Sequence, residues 1–311
     1  MHRSGQAKGP RAEQQVITTM AYLLAEQKLE AATRWWSTGI IDICPGEISI
    51  RGYRIGELIG NLNFAEMIWL MLRGELPSQA EVALLDATLV ASVDHGPQAP
   101  AISIARMATT CGLPVNGAMA SAINVLDDAH CGSGQQCMEL FAEIHAAAGT
   151  KGELVDVAIA IIQARLDAGN ETIPGFGHRF HPVDPRVAPL LDLVGEAIAT
   201  GVVTGRHIAI AKATETALGV IRQRYIPMNI DGITAAIFGE LGFAADLGRG
   251  LFVLSRAVGI LAHAWEQKQQ GEPVKGPMPT EIPYTYTGRP HRPMQKGRPQ
   301  PQQPASDKPS A

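Results

Sequence analysis

The sequence predicts an almost entirely α-helical protein. Aromatic residues make up only 5% of its 311 residues, whereas the strands of a β-sandwich favour aromatic residues, Val and Thr. Ala, Leu, Ile and Gly are abundant, which suits closely packed helices. Apolar residues also recur at helical spacing along most of the chain, and short runs rich in Gly, Pro, Asn or Ser separate these segments.

The N-terminal region predicts one helix followed by a small hairpin. Residues 1–12 are polar and basic and are expected to be a disordered tail. Apolar residues at helical spacing predict a helix from about Glu13 to Ala32. Two apolar runs, at 40–44 and 47–50, flank Pro45-Gly46, and this pattern predicts a β-hairpin.

From residue 55 onward the pattern predicts a succession of helices. Asn63 and Ser78 are each positioned to cap a helix, the first ending at Gly74 and the second near residue 94. The other predicted helices span residues 101–111, 115–129, 135–148, 153–168, 186–200, 205–224, 233–241 and 244–269. The last is apolar on most faces and is expected to be a buried central helix. Residues 289–311 are rich in Pro, Gln and Arg and are expected to be a disordered tail.

Composition argues against several functional classes. The net charge of −4 gives no indication of a nucleic-acid partner. The four cysteines form no CxxC pair, so a reducing compartment is expected rather than a disulfide framework. The N-terminus has no signal-peptide pattern, and no apolar stretch is expected to reach the length of a membrane span. We therefore expect a cytoplasmic protein without a membrane or nucleic-acid partner.

One run rich in Gly and Pro lies between two predicted helices and carries several titratable groups. It extends from Pro174 to Arg186 and contains His178, His181 and Asp184. Pro lacks an amide donor and Gly resists ordering, so this run is predicted to be a loop. Loops on a rigid scaffold often carry catalytic groups. On composition alone, an inert connection whose charges face water is an equal alternative.

Four further polar residues lie at predicted helix ends or interrupt apolar helices: His95, His130, Asp231 and Arg256. Each has a structural explanation on its own, since the helix dipole favours a C-terminal His, Asp often caps a helix, and a buried Arg can pair with a carboxylate. Together with the central loop, they supply the groups needed for proton transfer to and from carbon and oxygen. Two arginines would suit a substrate with several carboxylates.

These motifs resemble those of the citrate synthase superfamily, in the same order along the chain. Gly175-Phe176-Gly177-His178 followed by Asp184-Pro185-Arg186 resembles the signature loop of that superfamily. The other matches, between about Ile40 and Gly288, are Arg51-Gly52-Tyr53, Arg73 to Pro77, Asp94-His95-Gly96, His130, Asn229 to Gly232 and Arg256 to His263. The resemblance implies a two-domain helical fold that works as a homodimer, with the active site in the cleft between domains. It assigns residues 13–131 and 233–288 to a large domain and residues 132–232 to a small domain.

The resemblance also implies roles for individual residues. His130 would hold the thioester carbonyl oxygen of a coenzyme A (CoA) substrate, and His178 would exchange the proton on the oxaloacetate carbonyl oxygen. Asp231 would exchange the proton on the acetyl methyl carbon, which is the α-carbon of the thioester and is called the acyl carbon below. The residues that would bind carboxylates are His95, Arg186 and Arg256. The residues that would lie near the CoA thioester are Pro174, Gly175, Phe176 and Gly177. The resemblance implies that a CoA thioester is a substrate. It also implies that the enzyme needs no metal and no permanently bound cofactor.

Within the superfamily, the sequence favours a citryl-CoA lyase over a citrate synthase. The chain is shorter than full synthases, and both Asp94 to Pro97 and Glu281 to Tyr284 resemble the C-terminal module of ATP-citrate lyase. Near the second stretch, synthases usually carry an Arg-Pro-Arg run. The corresponding residues here are Glu281-Ile282-Pro283, and Arg289 and Arg292, just beyond them, are the arginines that could substitute. Synthases also usually have Gly-Gly-Ala-Asn after the catalytic histidine, where this chain has Cys131-Gly132-Ser133-Gly134. A citrate synthase, or a related enzyme that joins an acyl-CoA to a 2-oxoacid, is the alternative.

Two more distant alternatives concern the central loop. His178, His181 and Asp184 could ligate a divalent metal in a hydrolase, but Pro182 and Pro185 prevent the helical presentation that such spacings normally use. A non-catalytic homologue that keeps the fold is the other alternative, and the three filled catalytic positions argue against it. His181 is expected to have a structural role rather than a catalytic one.

Overall fold

A computed structural model describes residues 10–149, 153–275 and 280–292, with side chains described from residue 21 onward. It confirms the predicted helical class. The helices are α1 Pro10–Trp35, α2 Ile55–Leu58, α3 Phe64–Arg73, α4 Gln79–Ala91, α5 Pro100–Thr110, α6 Val115–Ile123, α7 Ser133–Ala148, α8 Leu154–Asp167, α9 Val187–Ala199, α10 Arg206–Arg222, α11 Ile230–Glu240 and α12 Ala245–Gln270. The strands are β1 Ile41–Cys44, β2 Glu47–Ile50 and β3 Tyr53–Arg54.

The strands form a small antiparallel sheet in the order β1-β2-β3. The predicted hairpin is confirmed, with Ile43 opposite Ile48 across the turn at Pro45-Gly46. The third strand was not predicted. It forms because Arg51 (φ 50°) and Gly52 (φ 87°) reverse the chain in the left-handed region immediately after β2.

Local capping signals determine where α3 and α4 begin. The Asn63 side chain accepts a hydrogen bond from the Glu66 amide at 2.9 Å, and the Glu66 carboxylate accepts one from the Asn63 amide at 2.7 Å. Ser78 and Glu81 form the same reciprocal capping box at the start of α4. Gly74 ends α3 with a φ of 87°. These helix boundaries are as the sequence predicted.

Other boundaries differ from the prediction. Helix α1 begins at Pro10, so residues 10–12 are helical, while residues 1–9 of the predicted N-terminal tail lie outside the described residues. Residues 289–292 of the predicted C-terminal tail have no regular secondary structure, and the rest of that tail also lies outside the described residues. Helix α6 ends at Ile123 instead of residue 129, because the chain turns back on itself around Asp127.

Helix α12 runs through the middle of the apolar core. It packs against α4, α5, α6, α7 and α11. Its Leu251 belongs to a large cluster of buried side chains that includes Leu85, Phe141 and Ile233, and its Ile260 belongs to a smaller cluster. The large cluster combines residues from both predicted domains, and the domain boundaries stay a prediction.

Helix α12 is also, among the described residues, the single helix long and apolar enough to cross a membrane, with a mean hydropathy of 1.2. The sequence prediction that no stretch reaches this length is therefore wrong. The helix carries the buried Arg256, and among the described residues five other helices pack against it. These contacts are those of a core helix, which satisfies the same length and composition criteria.

Candidate active site

The central loop pairs with the segment that leads into α11. The Gly177 amide donates to the Pro227 carbonyl at 2.7 Å, and the Asn229 amide donates to the Gly175 carbonyl at 3.0 Å. The Asn229 side chain also donates to the Gly177 carbonyl at 2.6 Å. Because His178 follows Gly177 directly, these bonds hold it beside the start of α11. Sequence reasoning did not identify this role of Asn229.

Asp184 is the anchor of the central loop. It is only 1% exposed, and its carboxylate accepts hydrogen bonds from the Arg186 guanidinium at 2.9 and 2.8 Å and from the Ile230 amide at 3.0 Å. Hydrogen bonds from Arg186, together with its charge, outweigh the effect of burial and lower the pKa of Asp184 to about 2. The sequence pointed to this residue only as part of a motif and as a metal ligand. Since both oxygens are engaged by nitrogen donors, the contacts argue against the metal alternative.

A cavity of about 160 Å³, here named the central cavity, lies next to this loop. Its lining residues are Ser92, His95, His130, Cys131, Arg186, Ile230, Asp231, Phe252 and Arg256. It therefore brings together five of the six residues predicted for proton transfer and carboxylate binding. The sixth, His178, lies nearby, with its ring centroid 5.9 Å from that of His95.

Arg256 is the most deeply buried cation of the central cavity. It is 4% exposed, its Nε donates to the Ser92 carbonyl at 3.1 Å, and its guanidinium carbon lies 4.7 Å from the centre of the Phe252 ring. A buried guanidinium held in this way can present its remaining N–H groups to an anion. With Arg186 it gives the central cavity two cationic groups.

His130 lies on the turn that follows α6, next to the first turn of α5. Its Nε2 accepts a hydrogen bond from the Ala101 amide at 3.4 Å, so the proton of the neutral ring belongs on Nδ1. Burial, and secondarily the charge of Arg256, lowers the pKa of His130 below its ordinary value. The side chain is thus a neutral donor, as needed to hold a thioester oxygen.

His178 has the opposite tautomer. Its Nδ1 accepts hydrogen bonds from the amides of Phe180 at 3.1 Å and His181 at 3.0 Å, so the neutral ring carries its proton on Nε2. Burial lowers the pKa of His178, and the nearby Asp184 partly opposes this effect. His181 contributes its backbone amide, and its ring centroid lies 4.6 Å from that of His178.

Asp231 is in the first turn of α11, which Asn229 caps by accepting from the Asp231 amide at 2.9 Å. Burial raises the pKa of the Asp231 carboxyl, while the charges of Arg186 and Arg256 act in the opposite direction. A carboxyl group whose pKa is raised by burial keeps its proton to a higher pH than an ordinary Asp, which suits it to return a proton to carbon. This is the property that proton exchange at carbon requires.

A second cavity, of about 390 Å³, adjoins the central loop and is here named the arginine cavity. Phe176, Gly177 and His178 line it, together with three cationic residues, Arg179, Arg222 and Arg224. The predicted thioester-binding residues Pro174 and Gly175 are not among its lining residues. Sequence reasoning missed Arg222 and Arg224, because they lie more than 40 residues further along the chain.

Gly175 is required by packing rather than by access for a ligand. Its φ is 85°, and a Cβ atom there would lie 2.5 Å from the Cys137 Sγ and 2.9 Å from the Gly232 Cα. That Gly175 lies near the CoA thioester stays a prediction. Its absent side chain allows the central loop to lie directly against α7 and α11.

The turn that carries His95 is supported from α12. The Asp94 carboxylate accepts hydrogen bonds from the Gly96 amide at 3.1 Å and from the His263 Nε2 at 3.3 Å. His95 lines the central cavity, and partial desolvation there, together with the charges of Arg256 and Arg186, lowers its pKa. The Asp94–His263 contact was not predicted, although both residues belong to motifs identified in the sequence.

Comparisons with known proteins identify the family of the chain. The profile of the family "Citrate synthase, C-terminal domain" matches residues 77–277. The structure of citryl-CoA lyase from Hydrogenobacter thermophilus has 32% sequence identity and a TM-score of 0.73, covering 83% of this chain and 97% of that one. Citrate synthase from Haloferax volcanii is 29% identical over 217 residues, which are 69% of this chain and 54% of the relative.

A third relative is the 2-methylcitrate synthase of Mycobacterium tuberculosis, 27% identical over 266 residues, which are 81% of this chain and 63% of the relative. The chain spans about half the length of the citrate synthases that it matches. The profile match covers more than half of the chain and includes every residue of the central cavity. The chain belongs to the citrate synthase family.

Proposed function

We propose that the protein is a citryl-CoA lyase, which cleaves citryl-CoA to acetyl-CoA and oxaloacetate. The observation that carries this proposal is the central cavity, where a neutral donor, a buried carboxyl group and two arginines meet. These are the groups that the reaction needs at a thioester oxygen, an acyl carbon and two carboxylates. The tautomer of His130 makes it an N–H donor, and burial raises the pKa of Asp231, which suits both groups to these roles.

The carboxylates of the substrate would be bound by Arg186 and Arg256. The Asp184 carboxylate orients the Arg186 guanidinium, and the Ser92 carbonyl holds Arg256. Guanidinium groups fixed in this way bind carboxylates with defined geometry, which limits the poses of the central carbon. His95 lies beside them on the turn supported by Asp94 and would add a third contact.

Cleavage would break the bond between the acyl carbon and the central carbon. The bonding electron pair moves into the thioester to form an enolate, whose oxygen accepts a hydrogen bond from the Nδ1–H of His130. Asp231 in its acid form then delivers a proton to the acyl carbon, giving acetyl-CoA. The raised pKa of Asp231 makes this acid form accessible.

The hydroxyl proton of the central carbon would pass to His178 as that oxygen becomes the carbonyl of oxaloacetate. The Nε2 of His178 carries the proton of the neutral ring, because its Nδ1 accepts hydrogen bonds from the amides of Phe180 and His181. Uptake at Nε2 therefore requires the ring proton to move to Nδ1 and these two amide contacts to be released. We infer that substrate binding rearranges the loop at residues 178–181.

The arginine cavity is the proposed site for the phosphate groups of CoA. Arg179, Arg222 and Arg224 line it, and His178 borders both this cavity and the ring of His95. Guanidinium groups bind phosphates through paired N–H donors. A thioester reaching from this cavity past His178 would direct its acyl group toward the central cavity.

Two comparisons support cleavage over synthesis. The chain covers 97% of a citryl-CoA lyase of 32% identity, but only 54% of a citrate synthase of 29% identity. Citrate synthase activity, or condensation of another acyl-CoA with a 2-oxoacid, is the second candidate. It is supported by the sequence matches to citrate synthases and to a 2-methylcitrate synthase.

The test is a product analysis with the purified full chain. One reaction contains citryl-CoA, and the other contains acetyl-CoA with oxaloacetate; free thiol, acetyl-CoA and oxaloacetate are measured in both. We expect citryl-CoA to give acetyl-CoA and oxaloacetate without release of free CoA. Net thiol release from the second mixture would identify a synthase, and turnover of neither would overturn both candidates.

We also infer a homodimer. Helix α12 leaves an apolar stripe exposed to solvent, formed by Leu254, Val258, Leu261 and Trp265, which are 44–56% exposed. A contiguous apolar surface on a core helix is typical of a subunit interface. Light scattering should give twice the mass of one chain, and Trp265→Glu should shift the protein toward the monomer. A monomeric wild-type protein at micromolar concentration would contradict this inference.

A cytoplasmic location is proposed from the cysteines. All four are free thiols in the structure, and Cys44 and Cys111 are exposed. Exposed free thiols suit a reducing compartment. Fractionation of cells that express the full-length protein, followed by thiol labelling, tests this proposal, and recovery of oxidised protein outside the cytoplasm would contradict it.

A further inference from the structure

Cys131 is an unusual residue in the central cavity. It directly follows His130, and its φ of 71° lies in the left-handed region, which residues with a side chain rarely adopt. Its Sγ lies 3.8 Å from the Nδ1 and 3.7 Å from the Nε2 of the His130 ring. The side chain lines the central cavity together with Asp231 and Arg256.

The surrounding turn keeps Cys131 in this strained conformation. The His130 amide donates to the Asp127 carbonyl at 2.9 Å, and Arg249 of α12 forms ion pairs with Asp127 and Asp128. A Cβ atom on Gly132 would lie 2.7 Å from the Asp128 Cα, so the chain after Cys131 has little freedom. Glycine would adopt this conformation without strain, so the thiol side chain is retained at an energetic cost.

The thiol of Cys131 is not suited to nucleophilic chemistry. Burial, together with the charge of Asp231, raises its pKa to about 11, although Arg256 acts in the opposite direction. It is therefore neutral near pH 7, and a neutral thiol does not attack a neighbouring thioester at a useful rate. The remaining property by which the Cys131 side chain can affect the reaction is the space that it occupies, in a cavity of only about 160 Å³.

The neighbours of the Cys131 side chain show which part of the central cavity it occupies. The Nδ1–H of His130 is the donor that would hold the thioester oxygen, and Asp231 is the group that would protonate the acyl carbon. Cys131 contacts the first, and it lines the same small cavity as the second. In the proposed binding mode the thiol would therefore lie beside the acyl carbon, where an additional methyl group on that carbon would have to fit.

We propose that Cys131 is a specificity-determining residue that restricts the substrate to an unsubstituted acyl carbon, so that citryl-CoA and acetyl-CoA fit while their α-methyl homologues do not. This inference rests on the proposed function, because it uses the binding mode of the CoA thioester. According to this proposal, the Cys131 side chain determines whether the enzyme accepts thioesters of the acetyl type or of the propionyl type.

Turnover gives the first test. The kcat/KM values for citryl-CoA and 2-methylcitryl-CoA are compared for the wild type, Cys131→Gly and Cys131→Ala, with Cys44→Ala as a matched control at an exposed cysteine. We expect the wild type to prefer citryl-CoA, and Cys131→Gly to reduce that preference about tenfold or more, since a single methylene typically changes kcat/KM by about 10- to 200-fold. Cys131→Ala should be intermediate and Cys44→Ala unchanged. A preference that stays within twofold in Cys131→Gly would overturn the proposal.

Binding gives a second test that does not require turnover. Asp231→Asn blocks proton transfer, and calorimetry with acetyl-CoA and propionyl-CoA in the presence of oxaloacetate then measures the ratio of their Kd values, with and without Cys131→Gly. A ratio that moves about tenfold toward propionyl-CoA supports the proposal whichever direction the enzyme favours. An unchanged ratio with both ligands bound overturns this proposal alone, whereas failure to bind any CoA thioester overturns it together with the proposed function.

Discussion

Asp184 and Ile230 are joined by a hydrogen bond of 3.0 Å between the Asp184 carboxylate and the Ile230 amide. The same carboxylate holds the Arg186 guanidinium, and Ile230 is the residue before Asp231. This one buried group therefore connects the central loop, with its proposed proton-transfer and carboxylate-binding residues, to the start of α11. The proposed roles of His178, Arg186 and Asp231 therefore all depend on Asp184, which acts by positioning them.

Replacing Asp184 by Asn should destabilise the protein and lower its activity. The substitution leaves Arg186 without its charge partner, and breaking a largely buried ion pair from one side costs about 3 kcal/mol. Urea denaturation measures this loss. Asp192→Asn, at an exposed position on α9, is the matched control and should change the free energy of unfolding by less than about 0.5 kcal/mol. Equal stability of the two variants would contradict the role of Asp184.

Acid should remove the contribution of Asp184 at a defined pH. Its pKa is about 2 in the folded protein and 3.8 as the reference value, so the unfolded chain binds the proton first as the pH falls. The stabilisation is present above pH 4 and is lost between about pH 4 and 2, amounting to about 2 kcal/mol. Unfolding free energies measured from pH 6 downward should fall less steeply in Asp184→Asn than in the wild type. Parallel curves would rule out this assignment.

Gly175→Ala should be far more harmful than Gly177→Ala. Both glycines have positive φ, at 85° and 77°, so each substitution costs about 1–2 kcal/mol of backbone strain. At Gly177 a Cβ would lie 3.5 Å from the nearest atom, but at Gly175 it would lie 2.5 Å from the Cys137 Sγ, which adds about 1–3 kcal/mol of overpacking. Thermal denaturation of the two variants is the measurement, and a larger loss in Gly177→Ala would disprove the packing role.

Asp231→Asn should abolish cleavage while leaving CoA binding largely intact. The amide keeps the shape of the carboxyl group but cannot deliver a proton to the acyl carbon, and loss of a general acid typically lowers kcat by about 10²–10⁴-fold. Activity assays and acetyl-CoA titrations distinguish the two effects. A variant with near-normal turnover would remove Asp231 from the mechanism.

The pH dependence of cleavage should reflect the neutral form of His178. Burial lowers its pKa from the ordinary value of 6.5, so the neutral ring persists to a lower pH than in a free histidine. As the pH falls through this lowered pKa the ring becomes protonated and can no longer take up the hydroxyl proton. We expect kcat/KM to fall on the acid side with a midpoint below 6.5. A midpoint clearly above 6.5 would contradict the environment described for this residue.

Local signals allowed much of the fold to be predicted, but long-range contacts set the boundary at α6. The caps at Asn63 and Ser78 involve neighbours three residues away, so the sequence specifies them directly. Residues 124–129 are compatible with a helix, and they contain no Pro or Gly that would end it. The turn is held by the His130 amide, which donates to the Asp127 carbonyl at 2.9 Å, and by Arg249, more than 120 residues further along, which pairs with Asp127 and Asp128.

The candidate site also combines features that the sequence could predict with features that depend on long-range contacts. His130, Asp231 and Arg256 could be identified because their residue types and order match a known family, and the structure brings them into one cavity. The hydrogen bond from the Ile230 amide to Asp184 and the grouping of arginines in the arginine cavity could not be predicted, since each requires a contact that only the folded chain creates. The thiol of Cys131 could be noticed in the sequence as a departure from the family, but its strained backbone could not.

The hydrogen bond between the Asn229 side chain and the Gly177 carbonyl joins residues 52 positions apart, and it has a consequence for how the protein folds. Helices form quickly because their contacts are local, whereas closing a segment of this length is slower. The helical circular dichroism signal should therefore recover early during refolding from urea, and the catalytic site should assemble only when this long segment closes. Recovery of helix without recovery of turnover would mark the interval between the two events.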